Sequence, residues 1–303
     1  MTAAAAPPSF PRGSVGRSIA LLLSATVLFS VMTVLVKWLG AIYGPLLVYF
    51  CRSFFALIPV LPLMMHHGLL AAMQTLHPGA HAFRCAIGVV GMALNFYALT
   101  VLPLAEVVAI GFTVPMFSTA LSIPLLGEVV RIRRWTAVVV GFVGVILIVR
   151  PGFGGQTLLS LIPLVAALLH AVALIWVRKL TATERSETIV FYFMGSSALA
   201  SAFVLPFAWT TPTAFDLMLL AVMGLIGGIA QVMHTSAFRG APVALLAPFE
   251  YSAMLWAVIA GYLVWDTMPT WWTGAGTALI VASGLYILHR EVVVGRQRRA
   301  GTA

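Results

Sequence analysis

Long apolar stretches, interrupted briefly by glycine, proline and charged residues, run along nearly the whole chain. A membrane-spanning helix needs about 20 such residues, and a membrane β-barrel would instead alternate apolar and polar positions along each strand. The pattern therefore predicts an all-α integral membrane protein. Ten transmembrane helices are expected at residues 19–38, 45–65, 83–102, 104–126, 135–149, 158–178, 188–209, 216–238, 242–264 and 271–289.

The composition agrees with this pattern and excludes the soluble classes. Of the 303 residues, 61% are hydrophobic and 8% are charged, whereas soluble domains carry about 25% charged residues. The predicted helices occupy most of the chain, so no extramembrane domain fits beside them. A receptor with a folded ectodomain and a membrane-anchored catalytic domain are both excluded, and the function must lie within the bilayer.

The positive charges predict the orientation of the chain. The net charge is +9, but no basic patch interleaved with aromatic residues indicates a nucleic-acid partner. With ten spans, nearly all basic residues fall on the cytoplasmic side, and only Lys37 and Arg150 fall outside. We expect a multi-pass protein of the cytoplasmic (inner) membrane with cytoplasmic tails at 1–18 and 291–303. Arg84, Arg178 and Lys179 are interpreted as topology anchors.

Few residues could support enzymatic chemistry. Cys51 and Cys85 show no paired spacing, so neither a disulfide nor a metal site is expected. The sequence contains no phosphate-binding loop, HExxH pair or GxSxG elbow. We therefore expect no enzyme, no cofactor and no ATP-driven pump. An intramembrane enzyme or a non-transporting scaffold is the alternative class, and a secretory signal is the alternative for the first span.

The two halves of the chain match when they are shifted by 139 residues. The match predicts a first repeat at 19–150 and a second at 157–290. Five spans per repeat is an odd number, so the second copy enters the membrane from the opposite side. Inverted repeats are typical of secondary transporters, with the substrate near the midplane between the halves. The matched pairs include Gly88 with Gly227, Asn95 with His234, and Pro103 with Pro242.

The repeated motifs resemble the drug/metabolite transporter superfamily in its EamA branch. One copy runs from Ala98 to Glu128 and the other from Ala237 to Asp266. The resemblance, which extends over residues 19–290, implies a carrier with two inverted five-helix repeats around a central cavity. A similarity to YddG-type amino-acid exporters favours amino-acid export by alternating access, with H⁺ as a coupling ion. The alternative is a carrier for riboflavin, S-adenosylmethionine or another nucleoside-like metabolite.

Glu250 is the first candidate for binding a substrate or exchanging a proton. A carboxylate inside a span costs about 2.5–3.5 kcal/mol on insertion scales, so its presence in the predicted ninth helix suggests a function. Pro248 removes a helical hydrogen bond nearby and predicts a kink. The alternative is close helix packing with Glu250 hydrogen-bonded to a neighbour.

Gln231 and His234 share one face of the predicted eighth helix. Imidazole changes its charge between pH 5 and 8, which suits a proton relay beside Glu250. Asn95 corresponds to His234 in the first repeat, which suggests the opposite wall of one cavity. Either polar group could instead serve only to connect helices.

Several further residues are weaker candidates. His170, Tyr251 and Trp256 are potential binding residues, with packing as the alternative for the two aromatic ones. Arg52, within the second predicted span, is a possible gate. Pro115 predicts a second kink.

Overall fold

The computed structural model describes residues 12–66, 73–126, 132–150, 157–180, 183–240, 246 and 249–300. Within these ranges the chain forms helices joined by turns, and no strand is present. The predicted all-α class is confirmed. In chain order the helices are α1 (Arg12–Phe55), α2 (Leu57–His66), α3 (Pro78–Val101), α4 (Leu104–Gly111), α5 (Val114–Leu126), α6 (Ile132–Val149), α7 (Thr157–Leu180), α8 (Ser186–Val204), α9 (Ala214–Gly240), α10 (Ser252–Trp265) and α11 (Trp271–Ala300).

Among the described residues, six helical stretches are long and apolar enough to cross a membrane. The longest, Val15–His66, has 52 residues, or about 78 Å at about 1.5 Å per residue. A hydrocarbon core of about 30 Å cannot contain it as one crossing. The others are Pro78–Val101, Leu104–Leu121, Leu158–Val177, Ser186–Phe207 and Ala214–Ala237, and the helices Trp135–Val149 and Ser252–Trp265 are apolar but shorter.

Gly44 divides α1 at the junction of the first two predicted spans. Its φ of 77° and ψ of 159° lie in a region that is essentially restricted to glycine. Pro45, which follows, has no backbone N–H to continue the helical hydrogen bonds. The break leaves two pieces of the Val15–His66 stretch, each long enough to cross the hydrocarbon core.

The fourth and the ninth predicted spans are not continuous helices. The fourth, at 104–126, is divided into α4 and α5 by turn residues 112–113, because the ring of Pro115 would clash with the carbonyl of Gly111. In the ninth, at 242–264, the continuous helix α10 begins only at Ser252. The predicted kink at Pro248 lies outside the described residues.

Glycines allow close helix contacts at two crossings. A methyl group at Gly227 of α9 would lie 2.7 Å from Met32 Sδ of α1. Where α6 crosses α11, a methyl group at Gly144 would lie 2.6 Å from the carbonyl oxygen of Gly276. Both crossings are of the small-residue type common between membrane helices.

Lys37 of α1 closes the end of α3. Its Nζ donates hydrogen bonds to the carbonyl oxygens of Leu99 at 3.2 Å and Leu102 at 2.6 Å. The ammonium also lies 5.6 Å from the centre of the Trp265 ring. The last carbonyls of a helix have no partner within the helix, and a cation there also complements the helix dipole. Lys37 therefore fixes the first helix against the end of α3.

Candidate functional site

His234 and Glu250 form a hydrogen-bonded pair between α9 and the segment that precedes α10. His234 Nε2 lies 2.8 Å from Glu250 Oε1, and the side chains are 29% and 39% exposed, respectively. Glu250 reaches this position because Tyr251 forms a turn between it and the first residue of α10. The pair becomes an ion pair when the imidazole is protonated.

Helix α1 forms a further side of this site. The ring of Phe29 meets the His234 imidazole edge to face, with ring centres 5.8 Å apart. Thr26 Oγ1 lies 3.2 Å from Ser252 Oγ, two residues after Glu250. Because Thr26 donates its own proton to the Leu23 carbonyl, Ser252 is the donor in this contact. These contacts hold α1 against His234 and against the first residue of α10.

The other predicted polar residues are positioned in different ways around the pair. His170 of α7 is exposed and interacts electrostatically with both His234 and Glu250. Gln231 lies on α9 one turn before His234, and Asn95 lies on α3. Both amides are partly exposed, and neither forms a hydrogen bond with a described residue. They leave hydrogen-bonding capacity for a bound molecule.

Tyr251 and Trp256 are packed between helices. The Tyr251 ring lies edge to face with Phe112, with centres 4.9 Å apart, and its hydroxyl occupies the space where a side chain at Gly284 would begin. The Tyr251 hydroxyl and the Trp256 Nε1 are buried and have no hydrogen-bond partner among the described residues. The packing alternative given by the sequence describes Tyr251 well.

Arg52 and Arg84 lie in a second cluster, apart from His234. Arg52 is 2% exposed and Arg84 is 9% exposed. Interpreting Arg84 as a topology anchor at the membrane surface is therefore wrong. The missed signal is the proline at residue 78, because proline is a favoured first residue of a helix. Helix α3 starts there, five residues earlier than predicted, and Arg84 therefore lies almost two turns inside α3.

The chemistry available at these sites is binding and proton exchange. Among the described residues, no group of three or more His, Cys, Asp or Glu side chains could hold a metal ion. The His234–Glu250 pair can bind a cation through its carboxylate and exchange a proton through its imidazole. Both properties suit a transport site within a membrane.

Comparison with known proteins assigns the family. A model of the EamA-like transporter family matches residues 16–150. A riboflavin transporter of Rhizobium johnstonii is 30% identical over 277 residues, which cover 88% of this chain and 89% of the relative. The chain belongs to the EamA-like transporter family. This EamA-like protein is thus a multi-pass membrane protein and a secondary transporter, and it is not an enzyme.

Other similar proteins agree with this assignment. A riboflavin transporter of Brucella anthropi is 30% identical over 89% of this EamA-like chain and 98% of the relative. An S-adenosylmethionine uptake transporter of Rickettsia prowazekii is 29% identical over 89% of this chain and 91% of the relative. A solved crystal structure, 18% identical, superposes with a TM-score of 0.60 over 92% of this chain and 98% of that chain, which supports the fold.

Proposed function

We propose that this transporter is a secondary carrier for a nucleoside-like metabolite of the S-adenosylmethionine or riboflavin class, operating by alternating access across the cytoplasmic membrane. The sequence alone favoured amino-acid export and kept this class as the alternative. The similar proteins described above favour the alternative. They are named as transporters of S-adenosylmethionine or riboflavin, and the match covers nearly their whole length.

The His234–Glu250 pair is the observation that carries the proposed mechanism. A lone carboxylate at membrane depth is costly, and the 2.8 Å contact with His234 offsets that cost. A substrate with a positively charged group can take the place of the protonated imidazole beside Glu250. The imidazole then releases its proton, so substrate binding is linked to proton release at one site.

We propose ten spans arranged as two inverted repeats, and the glycine contacts of α3 and α9 support this arrangement. These two helices hold the matched residues Gly88 and Gly227. A methyl group at Gly88 would lie 2.8 Å from the Phe193 ring in α8, in the second half. A methyl group at Gly227 would lie 3.4 Å from Arg52 Nε, after the Gly44 break in the first half. Each matched helix thus packs against the second predicted span of the opposite half.

The proposed orientation places both termini in the cytoplasm. The proposed cavity lies between repeats 19–150 and 157–290. The support is the distribution of basic residues. Cysteine labelling tests this orientation. In a chain with Cys51 and Cys85 replaced by Ser, one reactive cysteine is added at an exposed site near each end, and intact cells are treated with an impermeant reagent. Labelling of either terminus in intact cells would contradict it.

Counterflow in proteoliposomes tests the proposed substrate class. Proteoliposomes that contain the purified protein are preloaded with unlabelled S-adenosylmethionine, riboflavin or an amino-acid mixture. Uptake of the corresponding labelled compound is then measured with and without a pH gradient. We expect flux of S-adenosylmethionine or riboflavin above that of protein-free vesicles, stimulated by the gradient. Flux of amino acids alone would restore amino-acid export, and absence of all flux would contradict the carrier proposal for these classes.

A further inference from the structure

Two buried arginines lie together at a junction of three helices. Arg52 belongs to α1 beyond the Gly44 break, and Arg84 belongs to α3. Adjacent residues of α8 contact them: Arg52 Nη1 lies 2.8 Å from Met194 Sδ, and the Arg84 guanidinium carbon lies 3.7 Å from the centre of the Phe193 ring. Both guanidinium groups therefore pack against neighbouring residues of one turn of α8.

No negative charge compensates these arginines in the described part of the chain. Neither guanidinium forms an ion pair with a described carboxylate, and Arg52 Nε, Arg84 Nε and Arg84 Nη1 lack any hydrogen-bond partner there. Their contacts include methionine sulfur and an aromatic face, which attract a cation without neutralising it. A buried charge with unpaired donors is costly unless a partner arrives.

A pocket lies where the end of α2, the start of α8 and the end of α9 meet. It has a volume of about 220 Å³, and Leu63, Val190 and Thr235 are among the residues that line it. Val190 also packs in the apolar cluster that contains Phe193 and Met194. One turn of α8 thus separates the pocket from the residues that contact the two arginines.

We propose that Arg52 and Arg84 form an anion-binding subsite for a carboxylate of the transported metabolite. This proposal rests on the proposed function and specifies its substrate class further. The planar guanidinium groups present several N–H donors in a geometry that matches a carboxylate.

The two charge centres together select a metabolite that carries both signs of charge. Glu250 would bind the cationic group, and the arginine subsite would bind the carboxylate. S-adenosylmethionine has a sulfonium, an ammonium and a carboxylate, whereas riboflavin is uncharged near neutral pH. The subsite therefore favours the S-adenosylmethionine class over the riboflavin class.

Ligand-induced thermal stabilisation of the purified full-length protein tests this subsite. The ligands are S-adenosylmethionine, its analogue lacking only the carboxylate, and riboflavin. We expect the carboxylate to lower the concentration for half-maximal stabilisation about tenfold or more, the strength typical of charge-assisted hydrogen bonds. Equal binding of the first two ligands would overturn the subsite, as would stabilisation by riboflavin alone.

Matched variants separate binding from folding. Arg52→Met and Arg84→Met replace a buried charge by an apolar side chain of similar length, a change that proteins often tolerate. Each should remove the carboxylate preference and leave binding of the decarboxylated analogue unchanged. Arg52→Lys and Arg84→Lys keep the charge but not the planar group, and should restore part of the preference. Arg17→Met, at an exposed position of α1, should retain all of it.

The remaining outcomes distinguish this proposal from the proposed function. A preference that persists in both Arg→Met variants overturns the subsite. Counterflow of riboflavin or of the decarboxylated analogue, without any advantage of the carboxylate, overturns the subsite and leaves the carrier proposal standing. Absence of both stabilisation and flux for every ligand overturns the two proposals together.

Discussion

His234 and Glu250 are 16 residues apart in the sequence and are joined by a 2.8 Å contact between Nε2 and Oε1. The contact connects α9 to the segment preceding α10, and α1 packs against it through Phe29. An imidazole and a carboxylate from separate helical segments thus lie in direct contact.

Glu250→Gln is expected to abolish proton coupling. The amide keeps the size of the side chain but cannot carry the negative charge that binds a cation. Flux in proteoliposomes should fall by about tenfold or more, the scale of a lost charge-assisted hydrogen bond, and an imposed pH gradient should no longer stimulate it. Glu106→Gln, in the first turn of α4, should keep both properties. Unchanged gradient stimulation in Glu250→Gln would exclude Glu250 as the coupling group.

His234→Gln is expected to flatten the pH profile of transport. Glutamine preserves a hydrogen-bond donor to Glu250 but, unlike imidazole, cannot accept or release a proton. Equilibrium exchange without a gradient, measured at a series of pH values, should depend on pH in the wild type and much less in the variant. His77→Gln, before the first residue of α3, is the control and should reproduce the wild-type profile. A steep profile in His234→Gln would assign the titration to another group.

Trp256→Phe is expected to remove ligand-dependent quenching of tryptophan fluorescence. The Trp256 Nε1 is buried without a hydrogen-bond partner among the described residues, and the residue lies in α10, which begins two residues after Glu250. Riboflavin absorbs where tryptophan emits, so its binding nearby should quench Trp256 strongly. Trp209→Phe alters an indole that is 55% exposed and should leave the quenching intact. If riboflavin quenches the fluorescence of both variants to the same extent, the ligand binds away from α10.

Gly44→Ala is expected to destabilise the protein through backbone strain alone. A Cβ there meets no atom of the described residues within 4 Å, but the φ of +77° is unfavourable for any residue with a Cβ. The cost should be about 1–3 kcal/mol, seen as a lower temperature of thermal unfolding in detergent. Gly195→Ala, also in open space but inside α8, should be neutral or stabilising. Equal stability of the two variants would show that α1 passes through residue 44 without the break.

Gly144→Val is expected to separate α6 from α11. The first added methyl group would lie 2.6 Å from the Gly276 carbonyl oxygen, so the helices must move apart. Overpacking of this kind costs about 1–3 kcal/mol, and thermal unfolding should show the loss. Gly274→Val introduces the same side chain into α11 at a position where the described part of the chain has no atom within 4 Å of an added Cβ, and it controls for the change in helix propensity. A matching loss in both variants would make the crossing unimportant.

The apolar pattern by itself determined the helical class and the membrane location. In hydrocarbon every backbone polar group must be paired within the protein, so a long apolar stretch leaves a helix as the simplest structure. The same pattern located the break before Pro45, because glycine and proline interrupt helices for local reasons. The sequence also indicated Glu250 and His234 as candidates, since a charged or titratable group inside an apolar stretch is rare, and their role in transport stays a prediction.

Only the tertiary structure decided which of these groups meet. The contact between His234 and Glu250 depends on how α9 is rotated and where α10 begins, and the turn at Tyr251 changes the face on which Glu250 lies. The position of Arg84 was likewise not available from the sequence. Because α3 starts almost two turns before this residue, its charge is buried against Phe193 and is not exposed at a helix end. Contacts between helices depend on rotation and on the positions of helix ends, and the apolar period along one helix does not contain that information.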